Sequence, residues 1–189
     1  FVDGLLGEER RKTGWMRAEA AGDPGPWRQQ AILGRGRWDA DALRDIVRDY
    51  ALEPLADDDA VLVLDETGFL KQGKASCGVA RQWCGRLGKQ DNCQLGVFLA
   101  YAAPGGSAPL DRQLYLPEDW ASDPVRREKC HVPEAVTFQE SWRIAVDLLE
   151  RCRKDLPHAW VSGEDEMGRP AQFRGWLRRH GERYVLDVP

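Results

Sequence analysis

The stretch Ala60–Gly68, Ala-Val-Leu-Val-Leu-Asp-Glu-Thr-Gly, limits what this chain can fold into more than any other segment. Val61 to Leu64 are consecutively apolar and either β-branched or leucine, the pattern of a short strand buried on both faces. Asp57-Asp58-Asp59 stops regular structure before it, and Thr67-Gly68 supplies turn chemistry after it. Asp65 is therefore expected at the carboxyl end of a central strand, where an open α/β sheet binds ligands. An aspartate there can simply cap a turn. Followed by a second acid, Glu66, at the mouth of a buried strand, it also suits metal chemistry.

The segments before this strand read as helical. Phe1 to Ala21 carries Leu5, Leu6, Trp15 and Met16 around the charged run Glu8–Lys12, and Gly22-Asp23-Pro24-Gly25-Pro26 ends it. A short helix from Trp27 to Leu33 stops at Gly34, and Asp39 can cap a third from Ala40 to about Leu52. Leu43, Ile46, Val47 and Tyr50 recur at helical spacing and form its expected buried stripe. Residues 1–55 thus read as a small helical module, and residues 56–189 as the main domain. Arg28, Arg35 and Arg37 of the module can touch phosphates or serve as ordinary surface arginines.

After the first strand, a second is expected around Gly78–Cys84 and a third from Cys93 to Ala102, joined by short Gly-bearing loops as an antiparallel meander. Leu110–Leu116 is a further candidate strand, and Pro117 to Pro133 reads as irregular. A helix over Phe138–Lys154 would turn Trp142, Ile144, Ala145, Leu148, Leu149 and Cys152 inward. Ala159–Ser162 is a brief strand, Ala171–His180 an amphipathic helix with Phe173, Trp176 and Leu177 inside, and Tyr184–Val188 a last strand. The class is α/β (α+β), and this order is the layout of the ribonuclease H fold. There the first strand lies parallel to the fourth, about 4.8 Å away. Asp65 and the Glu164-Asp165 pair would then converge at one sheet edge.

At 189 residues the chain is long enough to bury roughly 70% of its unfolded surface without a disulfide or metal staple. Its 42% hydrophobic content contains no apolar run near the roughly 20 residues of a membrane span, so no membrane partner is expected. The five cysteines, scattered and without a CxxC pair, fit reduced thiols in a cytoplasm and argue against zinc. Cys130-His131 lacks a partner pair at metal spacing, and His131, His158 and His180 offer no recognisable nucleophile or base. The net charge of −4 argues against a uniformly basic protein, while local basic faces can still meet nucleic acid. The chain begins at Phe1 rather than Met and ends on Pro189 as an apolar strand is being completed, which reads as part of a longer protein.

Converging carboxylates hold magnesium or manganese, hard cations that prefer oxygen ligands. Two such ions about 4 Å apart can activate water or a 3′-hydroxyl on one side of a phosphate and stabilise the leaving oxygen on the other. Basic residues need only hold the DNA backbone, and Lys71, Lys74, Arg81 and Arg86 lie near the expected edge.

Three stretches of this sequence, Asp65–Lys71, Gly78–Gly85 and Asn92–Phe98, together with Leu114-Tyr115-Leu116-Pro117-Glu118, Trp120 and Trp160–Gly168, resemble bacterial insertion-sequence transposases of the DDE superfamily. The resemblance spans nearly the whole chain. It implies a ribonuclease H-like core, magnesium- or manganese-dependent cleavage at transposon ends, and transfer of the freed 3′-hydroxyl to target DNA. It also implies a nucleoid-associated bacterial protein acting as a homodimer on DNA. Asp65 matches the first acid of the family triad. The second lies four residues before a glycine, here Gly168, which puts Glu164 at that place and Asp165 beside it. Glu164 is longer than the family's aspartate by one methylene, a reach of about 1.5 Å, so either residue is a candidate ligand. The third acid, a glutamate on a later helix, has no counterpart within these residues, so the chain by itself is expected to be inactive. Two alternatives stand beside the transposase reading. One is a non-catalytic DNA-binding relic, favoured by Glu164 and the missing third acid. The other is a haloacid dehalogenase-like phosphohydrolase, which would want an acid where Thr67 stands and parallel strands throughout.

Overall fold

The computed structural model describes residues 1–188; Pro189, where the chain was noted to end, lies outside the described residues. The chain divides into two units, Phe1–Leu43 and Arg44–Pro189.

In the first unit, α1 (Val2–Leu6) and α2 (Gly14–Ala20) replace the single helix expected from Phe1 to Ala21. The charged run between them has no apolar face to bury. Thr13 then starts a new helix, its hydroxyl accepting the Met16 N–H at 3.3 Å. Arg17 is buried, with its guanidinium 4.5 Å from the Phe1 ring centre. α3 (Trp27–Gly34) is held to the preceding break by Asp23, which accepts from Arg28 at 3.0 Å and from Gln29 at 2.7 Å.

α4 (Ala40–Leu55) starts as expected, with Asp39 Oδ1 accepting the N–H groups of Asp41 and Ala42 at 2.9 and 3.0 Å. Its expected buried stripe is overturned: Leu43, Ile46, Val47 and Tyr50 are 47, 66, 49 and 73% exposed. In the second unit, the helix instead packs Ala51, Leu52 and Leu55 on the core and pairs Arg44 with Asp111 at 3.5 Å. The reason is Asp111. Its side chain is completely buried and also accepts from Arg151 Nε at 2.9 Å. A carboxylate removed from water must be paired, and the arginine face of α4 is what pairs it.

The sheet of the second unit comprises β1 (Val61–Leu70), β2 (Ala80–Cys84), β3 (Lys89–Ala103), β4 (Gly106–Leu114), β5 (Trp160–Gly163) and β6 (Tyr184–Leu186). Across it the order is β2-β3-β1-β5-β6, with β4 on β3 beyond the stretch that β2 occupies. β1 is antiparallel to β3 and parallel to β5, and β5 is parallel to β6. This is the mixed sheet that the ribonuclease H layout requires, with first and fourth principal strands side by side. It differs from the all-parallel sheet expected of a dehalogenase-like fold.

Two details depart from expectation. The meander is β2-β3-β4, and β1 joins β3 on its other side rather than pairing β2. β1 also continues through Thr67-Gly68, because the 15-residue β3 supplies partners as far as Leu70. Gly68 passes so close to β2 that a β-carbon there would lie 2.6 Å from Cys84 Sγ. Pro109, which has no N–H, sits on the edge strand β4 beside the register shift at Leu99/Ala100.

The stretch expected to be irregular holds α5 (Glu118–Ala121) and α6 (Pro124–Lys129). Asp123 caps α6 by accepting from Val125 and Arg126 at 2.9 and 3.0 Å, and Pro124 suits its first position. α7 (Ser141–Cys152), α8 (Asp165–Gly168) and α9 (Ala171–Arg179) follow.

Leu62 and Leu64 of β1 meet Ile144, Ala145, Leu148 and Leu149 of α7 and Phe173 and Leu177 of α9 in the main core. Each such leucine stabilises the fold by about 1.5–3 kcal/mol. Trp142, expected inside, is only half-buried. Buried Tyr101 locks the starts of both parallel strands: its hydroxyl accepts the Asp57 N–H at 2.9 Å and lies 2.7 Å from the Pro157 carbonyl oxygen. The five cysteines are free thiols. Among the described residues no helix is long and apolar enough to cross a membrane.

Candidate active site

Parallel pairing decides where the acids go. β1 and β5 pair up to Leu64 and Gly163, so Asp65 and Glu164 are the residues that follow on each strand. β5 and β6 pair up to Gly163 and Leu186, and Asp187 continues the alignment by donating its N–H to the Gly163 carbonyl at 3.1 Å. On three adjacent parallel strands the paired stretch is thus each time followed by a carboxylate. Asp65 lies not at the end of β1 but at the end of its parallel pairing.

A cavity of about 420 Å³ brings together Asp65, Glu66, Glu164, Asp165 and Glu166, with Trp83 and Arg169 on its wall. A second opening of about 300 Å³ shares Asp65 and Glu164 and adds Asp187. All three expected acids therefore meet in one place. Among the described residues no group of three or more Asp, Glu, His or Cys side chains is placed to hold a metal ion.

The two neighbours at the end of β5 differ. Asp165 opens α8 and is paired with Arg169 at 2.5 Å, and Arg169 also reaches Glu166 at 3.6 Å. Glu164 precedes α8 without capping it and has no ion pair or hydrogen bond from its side chain among the described residues. The negative charge of Asp65 lifts the Glu164 carboxyl above its ordinary range, with burial, Asp165 and Asp187 adding to the effect. Burial raises Asp65, partly offset by the Glu66 backbone N–H.

Glu66 falls on the same strand face as Leu62 and Leu64. Burial raises its carboxyl most; a hydrogen bond from Ser141 lowers it, and the charges of Glu166, Asp65 and Asp165 raise it further. Its Oε1 is buried without a hydrogen-bond partner.

None of the expected DNA contacts lines this cavity: Lys71 follows β1, Arg81 lies on β2, Arg86 on the turn after it, and Lys74 lines a separate cavity. The histidines lie elsewhere too. His158 faces Glu182 at 3.1 Å, His180 stacks on Trp176 at 4.1 Å, and His131 closes the turn after α6 with φ 53°.

Sequence reasoning missed Asp187 and Arg169. A signal for Asp187 was present, since Val185-Leu186-Asp187 repeats the apolar-then-acid ending of Val63-Leu64-Asp65. The pairing of Arg169 with Asp165 follows i,i+4 helical spacing.

The donor set is all carboxylate oxygen, with Asp65 and Glu164 free of lysine or arginine partners among the described residues. Such a set fits a hard divalent cation and disfavours soft metals.

The family model described as DDE superfamily endonuclease matches residues 1–189. A curated relative, "Probable transposase for insertion sequence element IS701" from Microchaete diplosiphon, is 30% identical over 116 residues, covering 61% of this chain and 30% of its own length. The chain thus spans about a third of the curated relative it matches. Among solved structures, the Mos1 strand transfer complex covers 99% of this chain and 57% of its own, at 13% identity and a TM-score of 0.33. The Mos1 transposase paired-end complex with left transposon end covers 97% and 56%, at 13% identity and a TM-score of 0.30. Likeness at that level carries no inference about this chain.

Proposed function

The chain belongs to the DDE superfamily of endonucleases, and from that premise we propose that it is the core of an insertion-sequence DNA transposase. In this reading the whole protein cleaves DNA at transposon ends and joins the freed 3′-hydroxyl to target DNA. The observation that carries it is the meeting of Asp65 and Glu164 at the end of one parallel strand pair, in a cavity rich in carboxylates.

Asp65 and Glu164 would hold a magnesium or manganese ion, with Asp187 beside them on the next strand. When bound, such an ion supplies Lewis-acid activation of the phosphodiester. Arg169 keeps Asp165 in its own ion pair, which makes Glu164 the second acid. Half-buried Glu66, hydrogen-bonded by Ser141, lies against the site with its carboxyl raised by burial and by the neighbouring acids. Lys71, Lys74, Arg81 and Arg86, together with Arg28, Arg35 and Arg37 of the helical module over residues 1–55, contact the DNA backbone, and a second copy of the protein completes the assembly on DNA in the cytoplasm.

The relic reading keeps one specific observation in its favour, the glutamate at position 164. Nicking of supercoiled plasmid by the full-length protein in magnesium or manganese separates the two. Activity that disappears in Asp65→Ala supports the enzyme; equal nicking by both proteins refutes the catalytic role of Asp65.

A further inference from the structure

The segment joining β1 to β2 closes on α5 and α6 through a small core of its own, Val79, Leu116 and Trp120. The Trp120 indole N–H donates to the Val79 carbonyl at 2.7 Å, which fixes the two segments together. Beside this contact lies a cavity of about 340 Å³ lined by Lys74, Ala75, Trp120, Arg126, Lys129 and Cys130. Its charged lining is entirely cationic.

The cations of this region have different employments. Arg127 donates to the carbonyls of Ala121, Val136, Pro133 and Glu134, so it shapes the loop after α6. Arg126 lies 4.9 Å from the Trp120 ring centre and is tied to Asp119 and Asp123 at 3.5 and 3.4 Å. Lys74 and Lys129 are exposed and have neither an ion pair nor a side-chain hydrogen bond among the described residues. They come from segments far apart in sequence, yet both line the same concavity over a fixed aromatic wall.

We propose that this cavity seats a backbone phosphate of duplex DNA, at a place separate from the carboxylate cavity. The proposal rests on the reading of the chain as a transposase core. A lysine ammonium is a compact point charge that binds phosphate well. Two of them on a concave wall concentrate positive potential that the net charge of −4 does not suggest. A contact of this kind positions the duplex and reads no bases. It therefore fits DNA of any sequence and gives binding that weakens steeply with salt.

The test is binding of a fluorescent mixed-sequence duplex to the 189-residue chain in EDTA, over a range of salt concentrations. The Lys74→Ala/Lys129→Ala double variant is expected to bind several-fold more weakly at low salt, with the slope of log affinity against log salt reduced by about 2. Lys74→Arg/Lys129→Arg should retain the wild-type slope, and thermal unfolding should be unchanged in both. An unchanged slope in the alanine variant overturns the phosphate seat while leaving the transposase reading intact. So does an equal loss in Lys154→Ala, a control outside the cavity. No binding of DNA by the wild-type chain at any salt overturns the seat together with its premise, whereas ion binding abolished by Asp65→Ala would still sustain the carboxylate site.

Discussion

Asp65 and Glu164 leave the β1–β5 pair side by side, one step past the Leu64–Gly163 pairing, and both line the same cavity. With no basic partner for either, their repulsion makes the site a place where a cation is welcome. Asp65→Asn and Glu164→Gln should each weaken manganese binding by about tenfold or more, by analogy with the losses seen when a metal's supporting groups are removed. Isothermal titration measures this. Wild-type affinity in Asp65→Asn would remove the site.

Asp187 and Asp165 should behave differently under the same change. Asp187 stands next to Glu164, one residue past the following parallel strand, whereas Asp165 already has an ion-pair partner in Arg169. Asp187→Asn is expected to lower manganese affinity by up to about tenfold, and Asp165→Asn to lower it little. The reverse order would make Asp165 the second acid and Glu164 its neighbour.

Glu66 gives the site a pH signature. Burial and the neighbouring acids raise its carboxyl above the ordinary value of 4.5. The folded state therefore holds that proton more tightly than the unfolded chain does. Stability from this group is present below the ordinary value and is lost as pH rises through the raised one. In EDTA, Glu66→Gln should thus unfold at a higher temperature than wild type at about pH 7, and the gain should vanish near pH ~3, where glutamate is protonated in both states. A gain that persists in acid would mean the glutamine makes new contacts instead.

How much of this was legible follows from what each residue needed. Val61–Leu64, the inner faces of α7 and α9, and the parallel pairing that joins Asp65 to Glu164 were readable, because burial imposes a period on the sequence. The face of α4 was not. Its apolar residues have helical spacing, but the buried Asp111 on β4 recruits the opposite side through Arg44. No local pattern announces that a distant aspartate will lose its water. The continuation of β1 past Thr67-Gly68 was hidden for a similar reason, since only the length of β3 keeps those residues paired. The pairing of Asp165 with Arg169 was written in the sequence as i,i+4 spacing and passed unnoticed among many charges.

That buried aspartate makes a stability prediction. Asp111 accepts from Arg151 at 2.9 Å and lies 3.5 Å from Arg44, whose side chain is itself 13% exposed. Asp111→Ala removes the acceptor of Arg151 Nε and leaves Arg44 paired with Asp45 at 2.9 Å, at a cost of about 1–3 kcal/mol. The urea midpoint should fall accordingly. A change below about 0.5 kcal/mol would mean that water already screens the cluster.

Gly168 explains why a glycine follows Glu164 at this distance. A β-carbon built there would lie 1.6 Å from the Asp187 carbonyl oxygen and 2.7 Å from its carbon. A backbone atom cannot rotate out of the way as a side chain can, so either α8 or the end of β6 must move. β6 is only three residues long and is held to β5 near its end by the Asp187 N–H on Gly163, so movement there carries Asp187 away from Glu164. Gly168→Ala should therefore destabilise the fold by about 1–3 kcal/mol, the usual range for overpacking, and weaken manganese binding as Asp187→Asn does. Gly175 on α9 is the contrast. Its added β-carbon would meet only the Arg179 guanidinium tip at 3.4 Å, which can swing aside. Gly175→Ala should leave ion binding unchanged and stabilise the helix by about 0.5–1 kcal/mol. Equal effects of the two substitutions on urea midpoint and manganese affinity would show that contact with Asp187 is not what makes position 168 a glycine.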